Sequence, residues 1–97
     1  MAVIETTAFR LRDGADEDAF VAADAAVQTG FVYCQPGLVR RTTARADDGN
    51  WIVVTLWETS AAAEASAATQ AGDPAVAVFD THVDFSTLRS KRFSTLD

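Results

Sequence analysis

The run from Trp51 to Trp57, WIVVTLW, constrains the fold more than any other stretch of this chain. It follows an Asp-Asp-Gly-Asn turn and is rich in β-branched and aromatic residues, which predicts the second strand of a hairpin. Because side chains alternate across a strand, the two faces carry different sets: Trp51, Val53, Thr55 and Trp57 on one, Ile52, Val54 and Leu56 on the other. Both sets are largely apolar, although a strand in a small antiparallel sheet usually keeps one face in water. Either set is compatible with packing against the chain's own helices, and we expect a further partner to cover the other one.

The remaining segments predict an α+β chain with the order βαββαβ and one additional short helix. Periodicity and turn residues place strands at 2–11, 38–46, 51–58 and 82–88, and helices at 16–33, 60–71 and 74–81. Ser60 and Asp73 are the expected N-caps of the last two helices. This order is typical of the ferredoxin-like fold, in which helices cover one face of a four-stranded antiparallel sheet. We interpret residues 1–97 as one domain and residues 89–97 as its polar tail.

Composition and charge argue against several classes of function. A formal net charge of −6 disfavours binding to nucleic acid, because neutralising phosphates requires a basic surface. The lone Cys34 cannot form an internal disulfide, and we interpret it as an inert buried thiol. No apolar run approaches the roughly 20 residues needed to span a bilayer, and the N-terminus lacks a signal-peptide pattern. We therefore expect a cytoplasmic protein that binds neither nucleic acid nor membrane.

Three stretches of the sequence resemble a known family. FRLRDGADEDAF, QPGLVRRTT and DGNWIVVTLWETSAAA are similar to segments of the dimeric α+β barrel proteins, in particular the antibiotic-biosynthesis-monooxygenase-like group. The resemblance extends over most of the chain, and it implies a homodimer whose two sheets pack face to face around a cavity. Activities within the group differ: some members oxidise polyketide-like phenols without a cofactor, some degrade haem, some are isomerases, and many have no known activity.

The resemblance can be examined at the positions that matter for haem. Haem-degrading members carry an Asn in the first strand and a Trp and a His on later helices. Alignment places Thr7, Ser66 and either Val76 or Ala77 at these positions, and the only histidine, His82, lies several residues further along. We therefore exclude haem degradation. With one His, one Cys and no phosphate-binding glycine loop, we expect no metal and no other cofactor.

Two residues are candidates for moving a proton during catalysis. Histidine is the side chain that titrates near neutral pH, so His82 could serve as a general base with Glu5 or Asp84 nearby. A surface position is the plainer interpretation of this histidine. Glu5 is a functional candidate if it faces a cavity, whereas an exposed position on an edge strand is the ordinary alternative.

A second group of residues consists of candidates for contact with a substrate: Trp51, Trp57, Phe9, Arg40, Arg41 and Thr7. The aromatic side chains would stack on an aromatic ligand, and the arginines would bind a carboxylate or a phenolate. Packing in the core or at an interface explains the tryptophans as well, and ion pairs explain the arginines.

Two functions follow from these observations. The first is a cofactor-independent monooxygenase, or an isomerase, that acts on a hydrophobic aromatic or polyketide-like molecule. The alternative is a non-catalytic module that binds a small molecule or only pairs subunits. An open space between the two sheets, lined by Glu5, His82 or the arginines, would favour the enzyme, and an inter-sheet space filled by Trp and Phe side chains would favour the module.

Overall fold

A computed structural model describes residues 1–96 of the 97-residue chain. The elements follow in the order β1 (Val3–Leu11), α1 (Glu17–Gly30), a 3-10 turn (Val32–Cys34), β2 (Leu38–Arg45), β3 (Asn50–Trp57), α2 (Ser60–Gln70), α3 (Pro74–Asp80) and β4 (Val83–Ser94). Within the described residues the strands form one sheet in the order β2-β3-β1-β4, with antiparallel neighbours throughout. The predicted ferredoxin-like α+β fold is confirmed.

Side-chain caps set the starts of the three helices. The Asp16 carboxylate accepts hydrogen bonds from two backbone N–H groups at the start of α1, and Asp73 does the same for α3, with Pro74 as the first helical residue. The predicted cap of α2 is wrong by one position: Thr59 rather than Ser60 accepts the bond from the backbone N–H of Ala62. Thr59 has the extended backbone that a cap residue needs, whereas Ser60 is already helical.

The end of α1 also differs from the prediction. The helix stops at Gly30, and residues Val32–Cys34 form a separate 3-10 turn. This turn directs Val32 into the core, so Cys34 is exposed and the interpretation as a buried thiol is wrong.

None of the helices within residues 1–96 is long and apolar enough to cross a membrane.

The structure decides which face of β3 meets the helices. Trp51, Val53 and Trp57 are buried; Trp51 packs edge-on against Phe20 of α1, and Trp57 packs with Ala63 of α2. The opposite set of β3 side chains is only partly buried and points away from the helices, as do its neighbours on β1 and β4: Ile52, Val54, Leu56, Ile4 and Phe93. We call this second surface the outer face of the sheet.

The last strand is longer than the sequence indicates. Residues 89–94, interpreted above as part of a polar tail, continue β4 and pair with Val3–Ala8 of β1. Polar and charged side chains are common on edge strands, where they discourage further pairing, so their polarity did not argue against a strand. Between Ala8 and Arg10 the register shifts, and residues 85–88 bulge opposite Phe9. Thr87 Oγ1 accepts the Arg10 backbone N–H at 2.8 Å and helps to hold this bulge.

Candidate functional site

Aromatic side chains fill one end of the space between the sheet and the helices. Phe20 of α1 lies at the centre, with its ring centroid 5.8 Å from that of Phe9, 4.9 Å from that of Trp51 and 5.1 Å from that of Phe79. The pairs with Phe9 and Trp51 are edge-to-face, which is favourable for aromatic rings, and the pair with Phe79 is tilted. Trp51 therefore belongs to the hydrophobic core and contributes to the stability of the fold.

The other end of this space is open because both of its walls carry small side chains. Ala63, Ser66 and Ala67 of α2 stand opposite Thr7 and Thr55 of the sheet, and together they border a cavity of about 620 Å³. This volume lies within the roughly 300–1,000 Å³ range of small-molecule pockets. We call it the sheet–helix cavity. It lies inside a single chain, because the β3 face that borders it is the one that packs on the helices. A cavity between the sheets of two chains stays a prediction.

Glu5 lies in the wall of the sheet–helix cavity, on a central strand rather than an edge strand. Its Oε1 accepts the indole N–H of Trp57 at 2.8 Å, and its Oε2 accepts two bonds from Arg92, from Nη2 at 2.9 Å and from Nε at 3.2 Å. Arg92 also contacts Glu64 of α2 at 3.5 Å. Both carboxylate oxygens of Glu5 are thus engaged, and the carboxylate fixes the orientation of Trp57 and Arg92.

Arg41 lies in a different part of the same wall and is buried. Its Nη2 donates to Asp24 Oδ1 at 2.8 Å, its Nη1 donates to Gln28 Oε1 at 3.2 Å, and Thr43 Oγ1 donates to the same Asp24 oxygen at 2.9 Å. This network joins β2 to α1. The Nε–H of Arg41 makes no bond within residues 1–96.

The structure brings five of the eight sequence-predicted site residues together around the sheet–helix cavity: Glu5, Thr7, Phe9, Arg41 and Trp57. The other three lie elsewhere. Trp51 is in the aromatic core, and Arg40 is exposed on the outer face, where its Nε donates to Thr42 at 3.3 Å. His82 packs against Phe20 at a ring-centroid distance of 6.1 Å and is not part of the cavity wall.

His82 and Glu5 are far apart along β1. His82 directly precedes Val83, which pairs with Leu11, and Leu11 is six residues from Glu5 on the same strand. At a rise of about 3.3 Å per residue this corresponds to roughly 20 Å. The two residues therefore do not form a pair. Asp84 is engaged with Ser86, whose hydroxyl and backbone N–H donate to it and hold the pKa of its carboxyl below the ordinary value.

Ser66 and Asp80 are two of the polar residues in the cavity wall that were not among the candidates for catalysis or substrate contact. Ser66 is buried as a residue, but its hydroxyl oxygen, which has no hydrogen-bond partner among residues 1–96, is not fully buried. Asp80, the last residue of α3, also lines the cavity, and burial raises the pKa of its carboxyl above the ordinary value. One signal in the sequence could have drawn attention to Asp80: an acidic residue ends a helix there, although the helix dipole favours a cation at this end.

The sequence resemblance matches Thr7, Ser66 and either Val76 or Ala77 to the haem-binding positions of the haem-degrading members. Thr7, Ser66 and Val76 form part of the cavity wall and Ala77 does not, and none of the four provides an imidazole. Within the described part of the chain, no three His, Cys, Asp or Glu side chains come together as metal ligands. The residues present do not fit haem.

No protein-family profile and no curated protein matches the chain. Solved structures do resemble it. SnoaB, a cofactor-independent oxygenase from Streptomyces nogalater, gives a TM-score of 0.81 at 19% sequence identity over 99% of this chain and 94% of that chain. Proposed antibiotic biosynthesis monooxygenases from Bordetella bronchiseptica and Chloroflexus aurantiacus give TM-scores of 0.80 and 0.76 at 13% and 14% identity, over 98% and 100% of this chain and 97% and 95% of theirs. At these identities the likeness shows a shared fold. The chain therefore has the fold of the antibiotic-biosynthesis-monooxygenase-like proteins, as its sequence resemblance predicts.

Proposed function

We propose that the protein is a cofactor-independent monooxygenase that oxidises a hydrophobic aromatic or polyketide-like molecule in the sheet–helix cavity. The observation that carries the proposal is an open cavity of about 620 Å³ whose wall combines apolar and aromatic side chains with ionisable ones. Its occurrence in a fold shared with SnoaB, a cofactor-independent oxygenase, supports the same function. Because the aromatic side chains leave this space open, the site supports the enzyme better than the purely structural module.

The proposed reaction starts from the enol (anthrol) tautomer of an anthrone-like compound, in which the ring carbon opposite the phenolic hydroxyl carries a single hydrogen, and converts that carbon into a ketone. A base removes the phenolic proton, the negative charge spreads to this carbon, and the electron-rich anion transfers electrons to molecular oxygen and forms a C–O bond to it as the phenolate becomes a carbonyl group. The resulting peroxide takes up a proton, and loss of the remaining C–H proton with hydroxide leaves the ketone. One oxygen atom enters the product and the other leaves as water. The substrate supplies the two electrons and the two hydrogens that reduce this second oxygen atom to water. The protein needs to hold the phenol, accept and return a proton, and exclude bulk water.

The cavity residues suggest a division of these tasks. Trp57 and Phe9 offer ring faces and edges for an aromatic substrate, and the Nε–H of Arg41 is available to a phenolate oxygen. At the β4 side of the cavity, the hydroxyl groups of Thr7 and Ser90 form a hydrogen bond of 3.2 Å. Glu5 is a candidate base, and its bonds to Trp57 and Arg92 also give it an orienting role.

We further propose that the protein works as a homodimer that pairs through the outer face of the sheet. Ile52, Val54 and Leu56 keep a partly exposed apolar strip there, and Phe93 is 44% exposed beside Ile4. A contiguous apolar surface of this kind on a small domain is typical of an interface. In such a dimer each chain keeps its own sheet–helix cavity, because the outer face and the cavity lie on opposite sides of the sheet.

Oxygen consumption tests the proposed function. The wild type is assayed with a panel of anthrone- and quinol-like phenols, and mass spectrometry after ¹⁸O₂ incubation follows label into the ketone. Ala67→Phe should fill the cavity and abolish turnover, whereas Ala68→Phe, at an adjacent exposed position that does not line the cavity, should leave it unchanged. His82→Ala and Glu5→Gln are measured beside them. Turnover that survives Ala67→Phe would reject the sheet–helix cavity as the place of reaction, and no turnover of any panel member would reject the monooxygenase. Saturable binding without turnover would favour the binding module.

A further inference from the structure

Asp80 is the one carboxylate in the wall of the sheet–helix cavity that has no bonded partner among residues 1–96. Glu5, the other carboxylate of this wall, is held by Trp57 and Arg92. Asp80 forms neither a hydrogen bond nor an ion pair with any described residue, although Arg41, Lys91 and Arg92 also line the cavity. Its carboxylate therefore remains available to a ligand.

The location of Asp80 does not help the fold. It is the last residue of α3, where the helix dipole disfavours a negative charge. Phe79 and Val83, close to it in sequence, border the same cavity with apolar side chains. Burial raises the pKa of this carboxyl, and it forms no ion pair with a cationic side chain within residues 1–96. A charged group that is half-buried without compensation costs stability, and such groups are concentrated at functional sites.

We propose that Asp80 accepts the proton of the substrate's phenolic hydroxyl in the sheet–helix cavity and later returns it to the peroxide. This inference rests on the proposed function. In the first step the phenol O–H bond breaks and a carboxyl O–H bond forms, which leaves the electron pair on the phenolate for reaction with oxygen. In the return step the carboxyl proton moves to the peroxide oxygen, and Asp80 is again a carboxylate. Glu5 is less suited to this cycle, because a proton on Oε2 would disrupt its bonds to Arg92.

The first arm of the test is turnover. Asp80→Asn keeps the shape of the side chain but removes its basicity, and we expect the rate of oxygen consumption to fall about 10²- to 10⁴-fold. The matched control is Asp47→Asn, which makes the same change at an exposed residue of the β2–β3 turn and should leave the rate unchanged. Full activity in Asp80→Asn alongside an active wild type would overturn the role of Asp80 and leave the proposed function intact.

The second arm does not need turnover. Quenching of tryptophan fluorescence reports binding because Trp57 lines the cavity. The probes are a hydroxyanthraquinone, which has no CH₂ group to oxidise, and its O-methyl ether, which has no proton to donate. A hydrogen bond to the Asp80 carboxylate should make the hydroxyl compound bind about ten- to 100-fold more tightly than the ether.

The binding preference separates the two proposals. Asp80→Ala should abolish the preference for the hydroxyl compound, and Asp47→Ala should preserve it. If the wild type oxidises none of the phenols but shows an Asp80-dependent preference, the monooxygenase fails while the assignment of Asp80 as acceptor of the ligand's hydroxyl stands. If the preference is absent, or survives in Asp80→Ala, the assignment of Asp80 is wrong whatever the turnover.

Discussion

Asp24→Asn is a sharp test of how the wall of the sheet–helix cavity is held in place. The ion pair between Arg41 and Asp24 joins β2 to α1 at 2.8 Å, with side chains that are only 5% and 17% exposed. The substitution keeps the shape of Asp24 and removes its charge. Arg41 is then left with its guanidinium in the protein interior, and its remaining bonds are to neutral oxygens.

The expected loss of stability is large for a single substitution. Removing one partner of a buried ion pair typically costs about 3–5 kcal/mol, because the remaining charge is no longer compensated. Asp24 is not fully buried and the Asn oxygen can still accept a hydrogen bond, so we expect a value near the lower end, about 3 kcal/mol. For a domain of this size each kcal/mol lowers Tm by about 4–8 °C, which predicts a fall of about 12–24 °C.

The chain contains a matched control for this experiment. Arg45 and Glu17 also pair between β2 and α1, at 3.1 Å, but their side chains are 41% and 52% exposed. Exposed pairs contribute about 0–1 kcal/mol, so Glu17→Gln should lower Tm by no more than about 8 °C. Circular-dichroism melts are recorded at low and high salt, and only the smaller effect should depend on salt. Equal shifts for Asp24→Asn and Glu17→Gln would refute the argument that burial determines the contribution of Arg41.

Three further predictions concern the outer face, the cavity and a helix cap. Val54→Arg should dissociate the dimer, so that light scattering gives a mass of 10.4 kDa, whereas Ala61→Arg at an exposed helix position should not. A wild type that is monomeric at micromolar concentration would contradict this prediction. Because the folded-state pKa of Asp80 is raised, its ionisation weakens the fold as the pH rises through that pKa. Asp80→Asn should therefore raise Tm at pH 7 and should no longer raise it in acid, where Asp80 is protonated. A lower Tm at pH 7 would contradict this prediction. Thr59→Ala should cost about 1 kcal/mol in denaturant unfolding, and Ser60→Ala clearly less, because only Thr59 caps α2; equal losses would contradict the assignment.

Local chemistry made much of the fold predictable. Asp73 followed by Pro74 indicates a helix start without reference to the rest of the chain, and the structure has that start. Alternation in WIVVTLW correctly separates the two faces of β3. The end of β4 was missed, because pairing of residues 89–94 depends on a free edge of β1 that no local pattern reveals.

The site was less predictable, because the sheet–helix cavity lies where large side chains are absent from both walls. The alanines of α2 have high helix propensity and favour a helix at this point of the chain. The same alanines, with Ser66, leave the space opposite Thr7 and Thr55 unfilled, while Phe20 and Trp51 fill the other end. The small side chains of α2 give it both its helix propensity and the empty volume beside it. Only the packing of α2 on the sheet shows which of these side chains face the cavity.

Whether a side chain can act as a base in the cavity depends both on its intrinsic chemistry and on its position in the fold. Histidine attracts attention because it titrates near neutral pH, yet the register of β1 and β4 puts His82 against Phe20 and outside the cavity wall. Asp80 is only two residues earlier in the chain, but it ends α3 and lines the cavity. A carboxylate there has no bonded partner in the described chain and is destabilised by burial. The fold does not favour a negative charge at this position. An interaction with a ligand would explain why Asp80 is there.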